Sequence, residues 1–177
     1  GMSAGTYAAL RQNSRFDYAT MGFAMVGIAV PNFVVAPLLT LFISLKLGLL
    51  PVGSWGEIKH MVLPIVALAL PQIAAIARLT RGSMIEVLRS NFVRTARSKG
   101  LPEKITVTRH ALKAAMLPVV SYLGPAVAGI ITGSVVIEQI FGIPGIGRYF
   151  VQAALNRDYT LVMGVTIFYG SLIILLN

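Results

Sequence analysis

Four long stretches of this chain carry no charged residue, and they decide what it can fold into. Asp, Glu, Lys and Arg are absent from 28 positions at 18–45, 17 at 61–77, 24 at 114–137 and 19 at 159–177. A helix needs roughly 20 apolar residues to cross the hydrocarbon core of a bilayer. In lipid an unpaired backbone N–H or C=O is costly, so such segments cross as helices. The pattern predicts an all-α, polytopic membrane helix bundle with about four spans. The second of these is expected to be short, and the first long enough to tilt. Composition agrees, with 56% hydrophobic and 12% charged residues; a soluble domain carries about 25% charged residues. A soluble globular domain is excluded, and so is a disordered chain, which would be polar. The absence of cysteine excludes a disulfide framework, a thiolate metal site and a cysteine nucleophile.

Both ends are expected to be internal to a longer membrane protein. Gly1 precedes Met2, residues 1–10 read as the tail of an earlier apolar segment, and the last apolar run reaches Asn177 without a basic anchor. There is no basic n-region followed by a small-residue cleavage site.

The segments between the runs set the expected orientation. Segment 78–113 holds nine basic residues against Glu86 and Glu103, a net charge of nine minus two, or +7. Basic residues remain on the cytoplasmic side, so 78–113 is expected in the cytoplasm. Parity then places 1–17 and the C-terminus with it, and 46–60 and 138–158 on the outer side. Pro31, Pro37, Pro64, Pro71, Pro118 and Pro125 fall within the runs. Each removes a backbone hydrogen bond and favours a kink, so bent helices that line a path are expected. Asn32, Ser121, Thr132, Ser134 and Glu138 are the polar candidates for that path. A carboxylate at Glu138 would suit the amino terminus of a peptide, or would be an interfacial residue.

Segment 78–113 is the most specific part of the chain. Residues 84–99 suit a helix with Ile85, Leu88, Phe92 and Ala96 on one face and Arg89, Arg94 and Arg97 largely away from it. Gly100 is a natural C-terminal stop in a left-handed conformation, and Pro102 and Glu103 suit the start of a second helix. Ile105, Thr108 and Leu112 would share a face of that helix. This helix–Gly–helix hairpin suits docking to a cytoplasmic protein or lying on anionic lipid. Nucleic acid is disfavoured, because no recognised binding fold accompanies the charge.

The run Asn91-Phe-Val-Arg-Thr-Ala-Arg-Ser-Lys-Gly-Leu-Pro102, followed by Arg109-His-Ala-Leu-Lys113 and Leu117-Pro118, resembles the cytoplasmic signature loop of ABC importer permeases. The family pattern is Glu-Ala-Ala, three residues, Gly, and later Ile-x-Leu-Pro. Ala96, Gly100 and Leu112 match it. Arg94, Thr95, His110 and Lys113 stand at the Glu, first Ala, Ile and Pro positions. The first departures are typical of the peptide-importer branch, whose loop reads Arg-Thr-Ala-x-x-Lys-Gly-Leu; that branch usually has Pro where this chain has Ala114. The stretches 78–86, 133–147 and 154–159 are similar to the B-type permeases of oligopeptide importers, and the resemblance covers essentially the whole chain. It implies six helices in the complete permease, of which this chain would hold the end of the second and the third to sixth. It implies ATPase coupling through Arg94, Thr95, Ala96, Arg97, Gly100, Leu101, Pro102 and Leu112. It also implies a second permease, two cytoplasmic ABC ATPases, an external substrate-binding protein, a peptide substrate and a bacterial inner membrane.

Bond-making chemistry is not expected of the chain itself. ATP hydrolysis needs the phosphate loop GxxxxGK[ST], and no such run occurs. ATP and Mg would be held by the partner ATPases, with no cofactor and no metal on this chain. His60 and His110 fall on opposite sides by parity, and Ser121, Thr132 and Ser134 have no histidine partner on their side for a triad. The stretch 142–147 is not a dinucleotide fingerprint. It reads as a tight Gly/Pro bend in which Gly142, Pro144, Gly145 and Gly147 form an external gate. A short re-entrant or surface helix would follow, with Ile146, Tyr149, Phe150 and Ala153 on its apolar face. The expected function is the membrane-spanning subunit of an ATP-driven oligopeptide importer. Dipeptides, glutathione or a metal–chelate complex are alternative cargoes, and a polytopic receptor or scaffold with a basic docking hairpin is the rival from another class.

Overall fold

The structure is a computed structural model that describes residues 1–131 and 135–176, and no strand occurs among them. The helices are α1 (Met2–Leu10), α2 (Arg15–Ala29), α3 (Asn32–Leu39), α4 (Ile58–Leu88), α5 (Asn91–Ser98), α6 (Glu103–Ile105), α7 (Leu112–Ala115), α8 (Leu117–Ile131), α9 (Val135–Phe141), α10 (Ile146–Leu155) and α11 (Tyr159–Leu176). α3 continues into a π-helical stretch, Thr40–Lys46, and another, Thr106–Ala111, joins α6 to α7.

The four charge-free runs do not each form one straight helix. α4 is the one described helix long and apolar enough to cross a membrane by itself. Its 31 residues far exceed the 17-residue run that marked it, because the helix continues past charged residues at both ends and through Pro64 and Pro71. The first run is divided at Val30–Pro31. Pro31 has no N–H and caps α3 in an extended conformation, and it pushes the residue before it away from helix. The third run is entered through a 49° bend between Glu103–Ala115 and Leu117–Ile131. Counting each bent pair as one crossing gives up to three, and α11 is apolar but short.

Two compact units divide the chain. One joins 1–29 to 71–123. Its core is Ala9, Met84, Val93, Val107, Ala111 and Ala115. α1 lies so close to α4 that a Cβ on Gly5 would collide with the Ala77 carbonyl and Thr80. The other joins 30–70 to 124–177, around Ala36, Leu63, Ala67, Ile137 and Phe141. Alanine supplies three of the six residues of the first core and two of the five of the second, allowing the close backbone approach that supplies packing where no water drives helices together. Large side chains such as Phe23, Ile58 and Leu175 lie more than three-quarters exposed, as suits faces turned to hydrocarbon.

The helix expected over 84–99 is interrupted at 89–90. The Ser90 hydroxyl donates to the Val87 carbonyl at 2.6 Å, and extended backbone at Ser90 starts α5 afresh. The restart rotates the apolar face. Ile85, Leu88 and Ala96 pack inward as expected, but Val93 is buried and Phe92 is exposed. In the second arm the π-helical stretch likewise turns Thr106, Val107 and Ala111 inward, while Ile105 and Thr108 are exposed and Leu112 is half-buried.

Candidate functional site

The tip of the hairpin is a closed helix terminus. Gly100 has φ +77°. Its N–H donates to the Arg97 carbonyl at 2.9 Å, and the Leu101 N–H donates to the Ala96 carbonyl at 3.3 Å. This pair of bonds is the Schellman motif, which needs a left-handed residue after the helix and is most often met by glycine. Across the turn Arg97 grips Glu103 with two bonds, Nε to Oε2 at 3.0 Å and Nη2 to Oε1 at 2.7 Å. The guanidinium holds the Glu103 carboxyl below the usual carboxylate range. Arg97 is therefore committed to the turn rather than free on a basic flank, a correction to the sequence reading. Arg94 and Thr95 are exposed on α5, and Ala96 beneath them is buried. Leu101 is half-buried, Pro102 is exposed and caps α6, and Leu112 packs on the core of this unit.

The hairpin is tied to the N-terminal segment by a contact that sequence reading missed. Asp17, 1% exposed, accepts from Arg81 Nε at 2.5 Å and Nη2 at 2.7 Å. Asp17 Oδ2 also accepts the Asn13 N–H, and the Asp17 N–H donates to Ser14 Oγ. Arg89 reaches Gln12 at 3.5 Å. Deeper in the same unit, Tyr122 on α8 donates to Gln72 on α4 at 2.7 Å, a polar pair between two apolar runs. The only sequence signal for it was a lone glutamine within a charge-free run.

In the other unit, Glu138 organises the expected bend. Gly142 has φ +65°, and the Ile143 N–H closes back onto the Glu138 carbonyl at 2.9 Å. Gly145 caps α10 with no side chain to satisfy the helix's first amides. Glu138 Oε2 does so instead, accepting the Arg148 N–H at 3.0 Å. A Cβ on Gly145 would fall on the Glu138 carboxylate, and one on Gly147 would meet Val135 and the same carboxylate. Those two glycines make room for the acid, and the positive end of the α10 dipole favours its charge. Pro144 lies exposed within the bend. The helix expected after the bend is present, but its packed side is Gly147 and Ala153 with Phe150 half-buried; Ile146 and Tyr149 are exposed. The Ser54 N–H donates to the Phe141 carbonyl at 3.0 Å, so segments 46–60 and 138–158 meet. Charge parity put those two on one side, and 1–17 and 78–113 on the other, which Asp17 and Arg81 join.

Glu138 borders a cavity of about 280 Å³ walled by Trp55, Met61, Leu68, Ile137 and Ile143, and neither Asn32 nor Ser121 lines it. Asn32 starts α3 half-buried. Ser121 is exposed and returns its hydroxyl to the Leu117 carbonyl of its own helix. Thr132 and Ser134 lie outside the described residues. Among the described residues no three His, Asp or Glu side chains gather as a metal site.

A family model described as "Binding-protein-dependent transport system inner membrane component" matches residues 1–177. The chain is 62% identical over 174 residues to the oligopeptide transport system permease protein OppB of Salmonella typhimurium, covering 97% of this chain and 57% of that protein. It is 61% identical over 174 residues to OppB of Escherichia coli K12, with the same coverage. The dipeptide transport system permease protein DppB of Bacillus subtilis is 48% identical over 176 residues, covering 99% of this chain and 57% of that protein. The chain thus spans a little over half the length of these curated relatives.

Proposed function

Because the chain belongs to the family of binding-protein-dependent transport system inner membrane components, we propose that it is part of the permease subunit of an ATP-driven importer that carries oligopeptides across a bacterial inner membrane by alternating access. The observation that carries the oligopeptide reading is the 62% identity to an oligopeptide permease along 97% of the chain. The geometry supports a coupling role for the hairpin. Its tip is stiffened by two backbone bonds and an ion pair, and it stands on a buried Arg81–Asp17 clamp. A rigid lever of this kind passes on a push from a partner ATPase instead of absorbing it.

In this reading two cytoplasmic ATPases bind ATP and Mg and press on segment 78–113. A second permease completes the path, and an external binding protein delivers the peptide. The chain itself makes and breaks no covalent bond. Dipeptides are the second cargo, favoured by the 48% identity to a dipeptide permease. Uptake of labelled peptides of two to eight or so residues, in cells whose own permease is deleted and replaced by the full-length protein, tests the reading. Saturable, ATP-dependent uptake of the longer peptides is expected. Uptake of dipeptides alone would move the cargo assignment, and none at any length would overturn it.

A further inference from the structure

One residue, Glu138, both borders the cavity and holds the start of α10. Glu138 lines an apolar cavity of about 280 Å³ with Trp55, Met61, Leu68, Ile137 and Ile143 around it. The same side chain accepts the Arg148 N–H that starts α10. Ligand pockets commonly run from about 300 to 1,000 Å³, so this one has room for a single residue's worth of ligand. Among the described lining residues Glu138 is the one acid, the others are apolar, and the Trp55 indole attracts cations over its face. A carboxylate set in a membrane protein among such walls is costly unless a partner balances it. The backbone N–H is a neutral donor, and an ammonium is a stronger one.

We infer that this cavity takes the ammonium end of an apolar chain, a primary amine bearing one hydrophobic side chain, and that the ammonium draws Glu138 off the Arg148 amide. Two features of the bend suit such an exchange. Gly145 and Gly147 leave the carboxylate space that a Cβ would fill, and Gly145 offers no side-chain cap to replace it. Occupancy of the cavity thereby loosens the first turn of α10. The identity of the amine rests on the import reading, since the amino terminus of a peptide is this chemistry.

Hydrogen–deuterium exchange of residues 146–151, in the full-length permease assembled with its partners in lipid nanodiscs, tests it. The probes are leucinamide and N-acetylleucinamide. Leucinamide is expected to speed exchange about tenfold, the population change that accompanies loss of one charge-assisted bond, and the acetylated probe to leave it unchanged. Glu138→Gln, whose amide oxygen still accepts the N–H but carries no charge, is expected to abolish the difference between the probes. Leu68→Trp, which fills the cavity and spares the acid, is expected to do the same. Equal action of the two probes, no action of either, or a response that survives Glu138→Gln would overturn the inference. A response that survives Leu68→Trp alone would remove the cavity as the route. Peptide uptake measured on the same complex separates the two readings: an exchange response without uptake defeats the importer, and uptake without the response defeats the amine site.

Discussion

Arg81 and Asp17, 64 residues apart in sequence, form a two-bond ion pair in which the aspartate is 1% exposed and the arginine 27%. The pair links the first turn of α2 to the last third of α4, just before the hairpin. Removing the arginine strands a buried carboxylate, so Arg81→Ala should cost about 3 kcal/mol or more, whereas Asp17→Ala leaves the partly exposed Arg81 and should cost less. Arg81→Lys keeps the charge but gives up the fork geometry, and should also cost less than Arg81→Ala. Thermal unfolding of the full-length protein in lipid reads all three. Equal stability of Arg81→Ala and the parent would mean that the clamp contributes nothing.

Thr106 is fully buried and its hydroxyl has no hydrogen-bond partner among the described residues. Thr106→Val removes an unsatisfied group while preserving shape. It is expected to be neutral or to stabilise by about 1 kcal/mol, visible as a higher melting temperature, whereas Thr106→Ala should destabilise by opening a void.

Gly100 has open space around the position a Cβ would take, so the cost of a side chain there is purely conformational. A left-handed residue with a Cβ pays about 1–2 kcal/mol, and Asn pays less than Val. Gly100→Val should therefore leave insertion intact yet impair ATPase recovery and peptide uptake, with Gly100→Asn between it and the parent. Normal uptake by Gly100→Val would separate this turn from coupling.

Arg94 and Arg97 make different predictions although both are exposed and basic. Arg97 is spent on Glu103, and an exposed pair is worth about 1 kcal/mol at most. Arg94→Glu should weaken ATPase pull-down and flatten its salt dependence. Arg97→Glu should do this too, and should also loosen the turn, so that restoring the pair by a second change, Glu103→Arg, recovers the turn but not the association. If pull-down at two salt concentrations is unchanged by Arg94→Glu, the basic face meets lipid instead of protein.

Single cysteines on α10 read the bend. Ala153 is 3% exposed, while Tyr149 is 55% exposed. Ala153→Cys should react slowly with an impermeant thiol reagent, and cysteines at Arg148 and Tyr149 should react fast. Adding Gly145→Ala, whose Cβ collides with the Glu138 carboxylate, should raise the rate at position 153 about tenfold, as expected when a helix loses its charged cap and opens. An unchanged rate would mean that Glu138 does not hold α10 in place.

The sequence by itself determined the class of fold, because charge-free runs of this length leave the backbone no choice but helix in an apolar medium. It also determined the hairpin and its left-handed Gly100, since a positive φ at a helix end is a local demand that one residue type meets best. The rest was decided in three dimensions. Helix phase shifted where Ser90 broke the chain and where π-helical turns inserted, so Val93 and Val107 took the places expected of Phe92 and Ile105; a periodicity count assumes one unbroken helix. Pairings such as Asp17 with Arg81 and Glu138 with the Arg148 amide depend on which surfaces meet. A charged side chain in a sequence announces that it needs a partner, and only packing chooses one.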